Sequence, residues 1–123
     1  MIDIFLDIRK NSPTFGTVET YDMPNHSSDS ESEWIYIPPG LAHGNFFLEP
    51  TTIQYSCTGE YSQGNEAGIS PVSEDLDWSY ASSMKNTISQ YTNFIVSAKD
   101  KQGLSLNAWT NDSRSNNFIY GRC

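Results

Sequence analysis

Positive charge is scarce in this sequence: 7 Lys and Arg stand against 15 Asp and Glu, a formal net charge of -8 over 123 residues. An acidic chain repels phosphate backbones and anionic headgroups, which argues against nucleic acid or a membrane as a partner. Any anionic small molecule would need locally gathered cations. Histidine is scarcer still, with His26 and His43 alone. Two isolated histidines do not make a zinc or transition-metal site, so neither a metal nor another cofactor is expected. His26 sits in an acidic stretch and reads as a solvated loop residue. The two cysteines, Cys57 and Cys123, are far apart with no CxxC pair, and read as free thiols in a reducing, cytoplasmic compartment. No apolar run approaches the ~20 residues of a membrane-spanning helix. The start, Met1 to Asp7, lacks the basic region of a secretory signal. GxSxG, GxGxxG and GxxxxGK[ST] are all missing, which removes hydrolase-elbow, dinucleotide-fold and P-loop chemistry.

What is present points to β-structure. Ile2, Ile4, Leu6 and Ile8 alternate with Asp3, Phe5, Asp7 and Arg9, the period of a half-buried strand. Asn11-Ser12-Pro13 breaks it, and Thr17–Tyr21 reads as a second strand. Residues 24–33 are polar and acidic, an exposed loop. Trp34–Ile37 resumes β character and stops at Pro38-Pro39-Gly40, and residues 45–49 and 51–57 read as two further strands. Residues 59–77 read mostly as loop. Ala81, Met84, Ile88 and Tyr91 fit one short helix over 79–91, with Ser79 as its N-cap, followed by a β-like run over 92–96. Residues 101–123 are Asn- and Ser-rich and read as a weakly structured tail, with Leu104, Leu106 and Trp109 as its anchors. With no repeat and no linker, 1–123 reads as one domain. Many short strands punctuated by Gly and Pro predict an all-β sandwich or barrel. Hydrophobic residues are 37% of the chain, which predicts a thin core, although the 13% of aromatics bury large areas. The strands are few for a closed barrel, so open edges and self-association are expected.

The stretch with chemical content is Ile37-Pro38-Pro39-Gly40-Leu41-Ala42-His43-Gly44, followed by Tyr55, Tyr61 and Glu66. A histidine just beyond a rigid turn can face a barrel cavity, and a tyrosine hydroxyl in the next strand can donate a proton. By spacing alone Tyr55 also fits as core filler, His43 as a histidine held by a backbone carbonyl, and Asp100 as a turn cap. Asp3 and Asp7 are given no role.

Several segments, in order, resemble the dTDP-4-dehydrorhamnose 3,5-epimerase family. Asp7-Ile8-Arg9-Lys10-Asn11-Ser12-Pro13-Thr14-Phe15-Gly16 resembles its D-I-R-K-x-S-P-T-F-G stretch, and residues 37–44 its I-P-x-G-F-A-H-G. Tyr55–Ser62 is similar to Y-K-x-T-x-x-Y-x, and Ser97-Ala98-Lys99-Asp100 to S-x-K-D. The resemblance implies an incomplete cupin-like jelly roll, a homodimer or larger homo-oligomer, and no metal. It implies a nucleotide-linked 4-keto-6-deoxy sugar as ligand, on the way to O-antigen or another surface polysaccharide. In that chemistry a histidine, oriented by an aspartate, removes a proton from C3 or C5 beside the C4 ketone. A tyrosine on the opposite face returns one. Carried over residue by residue, Tyr55 is the proton donor and Asp100 the orienting aspartate. His43, Tyr61 and Glu66 are substrate-binding. The family's base histidine belongs to an upstream R-G-L-H motif that these 123 residues do not contain, nor do they contain its N-terminal strands; Ser56 stands where lysine is frequent. Two other readings therefore accompany the epimerase: an impaired sugar-nucleotide-binding or partner module, and one half of a split epimerase.

Overall fold

The computed structural model describes residues 1–24, 33–81, 84 and 95–123. Three antiparallel strands form its sheet: β1 (Ile2–Asp7), β2 (Val18–Asp22) and β3 (Leu41–Phe46), in the order β2-β1-β3. The alternation in β1 does what period two requires. Ile2 and Leu6 are buried on one face with Val18 of β2, whose Cα partner is Leu6. Ile8, Ala81, Met84, Leu106 and Trp109 complete this core. Each fully buried aliphatic side chain contributes about 1.5–3 kcal/mol.

The β1–β2 connection is tight. Asn11 takes a left-handed φ of 64°, which asparagine tolerates better than most residues. Gly16 follows at φ 81°, where a Cβ would come within 2.6 Å of Leu106 Cδ2, so the position suits only glycine. The turn ends with the Gly16 amide donating to the Asp7 carbonyl at 2.9 Å. Beyond the hairpin, the Val18 amide donates to the Asp77 carbonyl at 2.8 Å, which lays residue 77 along the start of β2.

The stretch 101–123 is a correction to the expected weak tail. The short helix α1 (Ala98–Lys101) leads into it, and α2 (Leu106–Asn111) and a 3-10 turn (Ser113–Asn117) follow. Helix α2 is well capped: Asp75 accepts from the Leu106 and Asn107 amides at 3.1 and 2.8 Å, and Ser105 Oγ from Ala108 at 3.0 Å. The Ser73 hydroxyl and, with it, the Asn107 and Leu106 amides hold the Asp75 carboxyl below its ordinary range. Leu106 and Trp109 then fill the core, and the Trp109 indole donates to the Ile8 carbonyl at 3.3 Å. The polar composition of the segment conceals two apolar anchors spaced to share one helix face.

Two further corrections concern strands. Residues 33–38 and 51–57 lie outside the sheet, and β3 starts at Leu41, directly after the turn, rather than at residue 45. Gly40, at φ 92°, makes this start possible, with its carbonyl accepting from the Ile8 amide at 3.1 Å. The loop over 59–77 contains a 3-10 turn at Gln63–Asn65. The expected helix over 79–91 and run over 92–96 fall largely outside the described residues, as does His26; Ala81 and Met84 are buried, as their spacing suggested. The fold is mostly β with short helices, consistent with an incomplete cupin-like β-sandwich. Among the described residues no helix is long and apolar enough to cross a membrane.

Candidate functional site

The face of the sheet opposite the core carries the polar half of the alternation. Pairing between β1 and β3 sets Phe5 opposite His43 and Asp3 opposite Asn45, all on this face. The His43 ring stacks on Phe5, with centroids 5.6 Å apart and planes 20° from parallel. Its Nε2 lies 3.1 Å from Asp3 Oδ1. The Asn45 amide donates to the same oxygen. Asp3 was given no role on sequence, yet its side chain is only 5% exposed and it anchors this cluster. A carboxylate oxygen accepts, so Nε2 carries the hydrogen and Nδ1 is the nitrogen left for a ligand. A histidine oriented in this way is the arrangement that proton transfer beside a carbonyl calls for.

Asp7, four residues beyond Asp3 on the same face, is a second buried carboxylate. Arg9 donates to it through Nε at 2.9 Å and through its terminal NH2 at 2.8 Å. Ser12 and Thr14 hydroxyls add bonds of 2.6 and 2.7 Å. Burial pushes the Asp7 carboxyl up, but the bonds from Arg9, Ser12 and Thr14 together outweigh it and hold the group well below the usual carboxylate range. Phe5, Asp7, Arg9, Thr14, Glu19 and Leu41 line a cleft of about 150 Å³.

A second cleft, of about 270 Å³, lies between residues 66–69, α1 and Arg114. It is lined by two residues singled out on sequence, Glu66 and Asp100, and a third, Tyr61, lies outside the lining and bonds to Glu66. The Tyr61 hydroxyl donates to Glu66 Oε2 at 3.4 Å, the same oxygen that faces Lys99 Nζ at 3.5 Å, and Asp100 is on the rim. Arg114 grips Asp112 through two side-chain bonds, which hold the Asp112 carboxyl down at about 2, and donates to the Glu66 carbonyl at 2.9 Å. Asp100 caps α1 reciprocally with Ser97: its amide donates to Ser97 Oγ at 3.0 Å and its carboxylate accepts from that hydroxyl at 2.6 Å. Lys99 and Arg114 are the two cations lining this cleft, Lys99 paired with Glu66 and Arg114 with Asp112. Tyr55 stands apart, 75% exposed on the extended stretch after Pro50, and lines neither cleft. His43 likewise lines neither cleft, whereas Tyr61 and Glu66 are bonded and Asp100 lines the second cleft with Glu66. Each cleft is smaller than the ~300–1,000 Å³ of ordinary small-molecule sites, so each holds only part of such a ligand. Among the described residues no three His, Cys, Asp or Glu side chains gather as metal ligands.

Residues 1–108 match the family model for dTDP-4-dehydrorhamnose 3,5-epimerase. The chain belongs to this family. It is 35% identical over 81 residues to the dTDP-4-dehydrorhamnose 3,5-epimerase of Mycobacterium tuberculosis (strain CDC 1551 / Oshkosh), covering 63% of this chain and 38% of that protein. Identity to the enzyme of the same name from Mycolicibacterium smegmatis is 28% over 107 residues, 86% of this chain and 46% of that protein. A dTDP-4-dehydrorhamnose 3-epimerase of Streptomyces niveus is 25% identical over 103 residues, 81% of this chain and 48% of that protein. The chain therefore spans about half, or less, of the length of these curated relatives. No solved structure matches it. Within this epimerase family member, Asp3 and Asn45 are the residues of the His43 cluster that sequence reasoning passed over. The available signal was the strand pairing: once β1 lies beside β3, the polar positions of one meet the histidine of the other.

Proposed function

We propose that this chain serves nucleotide-sugar epimerisation: inversion at C3, C5 or both of a nucleotide-linked 4-keto-6-deoxyhexose, feeding surface polysaccharide such as O-antigen in the cytoplasm. The observation that carries this is the Asp3–His43 pair, on a stacked Phe5, in a chain of the epimerase family. The C4 ketone acidifies the neighbouring C–H bonds, and an imidazole near neutrality is the side chain suited to moving such protons. Asp3 orients the ring, so Nδ1 meets the sugar. His43, expected from the resemblance to bind substrate, is in this proposal the hydrogen-bonding and proton-moving group.

The second cleft takes the other part of the ligand. Tyr61, bonded to Glu66 outside the cleft, offers an exposed aromatic face to a base, and Lys99 and Arg114 in the cleft offer charge to phosphate. Tyr55 keeps its role as donor to the enolate and Asp100 its role toward a base, both requiring structure that encloses them. That enclosure comes from a second copy in a homodimer, since among the described residues β2 and β3 each have an outer edge and Trp34, Tyr36, Tyr55 and Tyr61 are exposed. No metal, other cofactor or nucleic acid takes part.

The test is solvent deuterium exchange into a dTDP-linked 4-keto-6-deoxyhexose, followed by proton NMR. Deuterium entering C3 or C5 above the buffer background, and lost in His43→Gln, supports the proposal. Unchanged exchange in His43→Gln removes His43 from it. Tyr55→Phe is expected to leave the first exchange nearly unchanged, because the donor acts after the proton is gone.

A further inference from the structure

We propose that Asn45 is a positioning residue that fixes which nitrogen of His43 faces the ligand. Two side chains, His43 and Asn45, meet the buried Asp3 carboxylate, both at Oδ1. The strand register places Asn45 directly opposite Asp3, while His43 lies opposite Phe5 and reaches Asp3 on the diagonal. The direct contact is therefore Asn45's. The diagonal one depends on the carboxylate being held toward β3.

Asn45 Nδ2 also lies 3.3 Å from His43 Nε2. An amide nitrogen donates and a carboxylate oxygen accepts. A bare Nε2 would accept from Asn45 but would set its lone pair against Asp3 Oδ1 at 3.1 Å. A protonated Nε2 lets both donors converge on Oδ1 without such a clash. Asn45 thus satisfies and orients the carboxylate, the carboxylate selects the Nε2–H tautomer, and Nδ1 is left unprotonated toward the sugar. Phe5 keeps the ring plane from turning.

This role rests on the site proposed above, but its readout is the free protein and needs no turnover. Long-range proton–nitrogen spectra of the 15N-labelled chain, at a mildly alkaline pH where imidazole is neutral, report the tautomer directly. The His43 signals are those lost in His43→Gln. The wild-type chain is expected to show Nε2–H with Nδ1 bare. Asn45→Leu, alike in branching and without a donor, is expected to lower the Nε2–H to Nδ1–H ratio about tenfold, the worth of one hydrogen bond to a charged group. Asn45→Gln, which keeps the amide, is expected to retain most of it. A ratio unchanged in folded Asn45→Leu overturns the role. So does a wild-type spectrum dominated by Nδ1–H, which needs no variant to fold. An Nε2–H His43 in a chain without epimerase activity would refute the proposed function and leave Asn45's role standing.

Discussion

Replacing Asp7 by asparagine removes a charge while preserving its shape. The Asp7 carboxylate accepts from Arg9 Nε, the Arg9 terminal NH2, the Arg9 backbone amide at 3.0 Å, Ser12 and Thr14. Its side chain is 5% exposed and that of Arg9 25%. An asparagine turns an NH2 toward donors that need an acceptor, and it leaves Arg9 without a counter-charge at the end of β1. Breaking a buried pair by removing one partner costs about 3–5 kcal/mol; with Arg9 partly in water, about 3 kcal/mol is expected for Asp7→Asn. Arg9 also lies over the Tyr120 ring at 5.1 Å, so the C-terminal stretch should loosen with it. The pH dependence carries its own sign. The folded Asp7 carboxyl titrates below its unfolded value of about 4, so its stabilisation is complete above that pH and declines as pH falls toward the folded value. The gap between wild type and Asp7→Asn should therefore narrow by about 1 kcal/mol between about pH 4 and about pH 3. Urea unfolding across this range measures both. A loss below about 1 kcal/mol at neutral pH, or a gap that does not shrink on acidification, would refute the assignment of Asp7 as a charged anchor.

Trp109, 3% exposed and bonded to the Ile8 carbonyl, ties α2 to β1, so Trp109→Ala should cost about 3–5 kcal/mol in the same assay; a loss under about 1 kcal/mol would mean that the C-terminal segment does not anchor the core. Gly16→Ala places a Cβ at φ 81° and 2.6 Å from Leu106 Cδ2, with an expected loss of about 1–2 kcal/mol or more, whereas a neutral result would argue against the tight turn. Light scattering at micromolar concentration should give the mass of a dimer or larger assembly, and a monomer would count against the proposed enclosure of Tyr55.

Sequence reasoning succeeded where periodicity was strong and failed where a partner decided the outcome. The alternation from Ile2 to Ile8 gave β1 and its buried face, and Thr17–Tyr21 overlaps β2 within a residue at each end. Residues 51–57 have strand composition, but no neighbouring chain pairs with them among the described residues, and composition alone does not make a ladder. The end of the chain misled in the opposite direction. Its Asn and Ser residues cap and turn short helices, with Ser105 and Asp112 accepting from following amides, while Leu106 and Trp109 carry the burial. Of the candidate-site residues, His43, Tyr61 and Glu66 were singled out on sequence, and Asp3 and Asn45 were not. Asp3 looked like a solvent-facing strand position because its partners, His43 and Asn45, lie some forty positions away and meet it only through the register of β1 with β3.

The most direct measurement of the proposed function compares wild type with Asp3→Asn in solvent deuterium exchange on a dTDP-linked 4-keto-6-deoxyhexose. Asp3→Asn keeps the side-chain volume but removes the charge that orients Nε2–H. Wild type should incorporate deuterium at C3 or C5 above the buffer background, though more slowly than a full-length relative, and Asp3→Asn should lower that rate by about 10²-fold. No exchange by wild type above background, or equal rates for the two proteins, would contradict the assignment of the Asp3–His43 pair as the centre of this chain's chemistry.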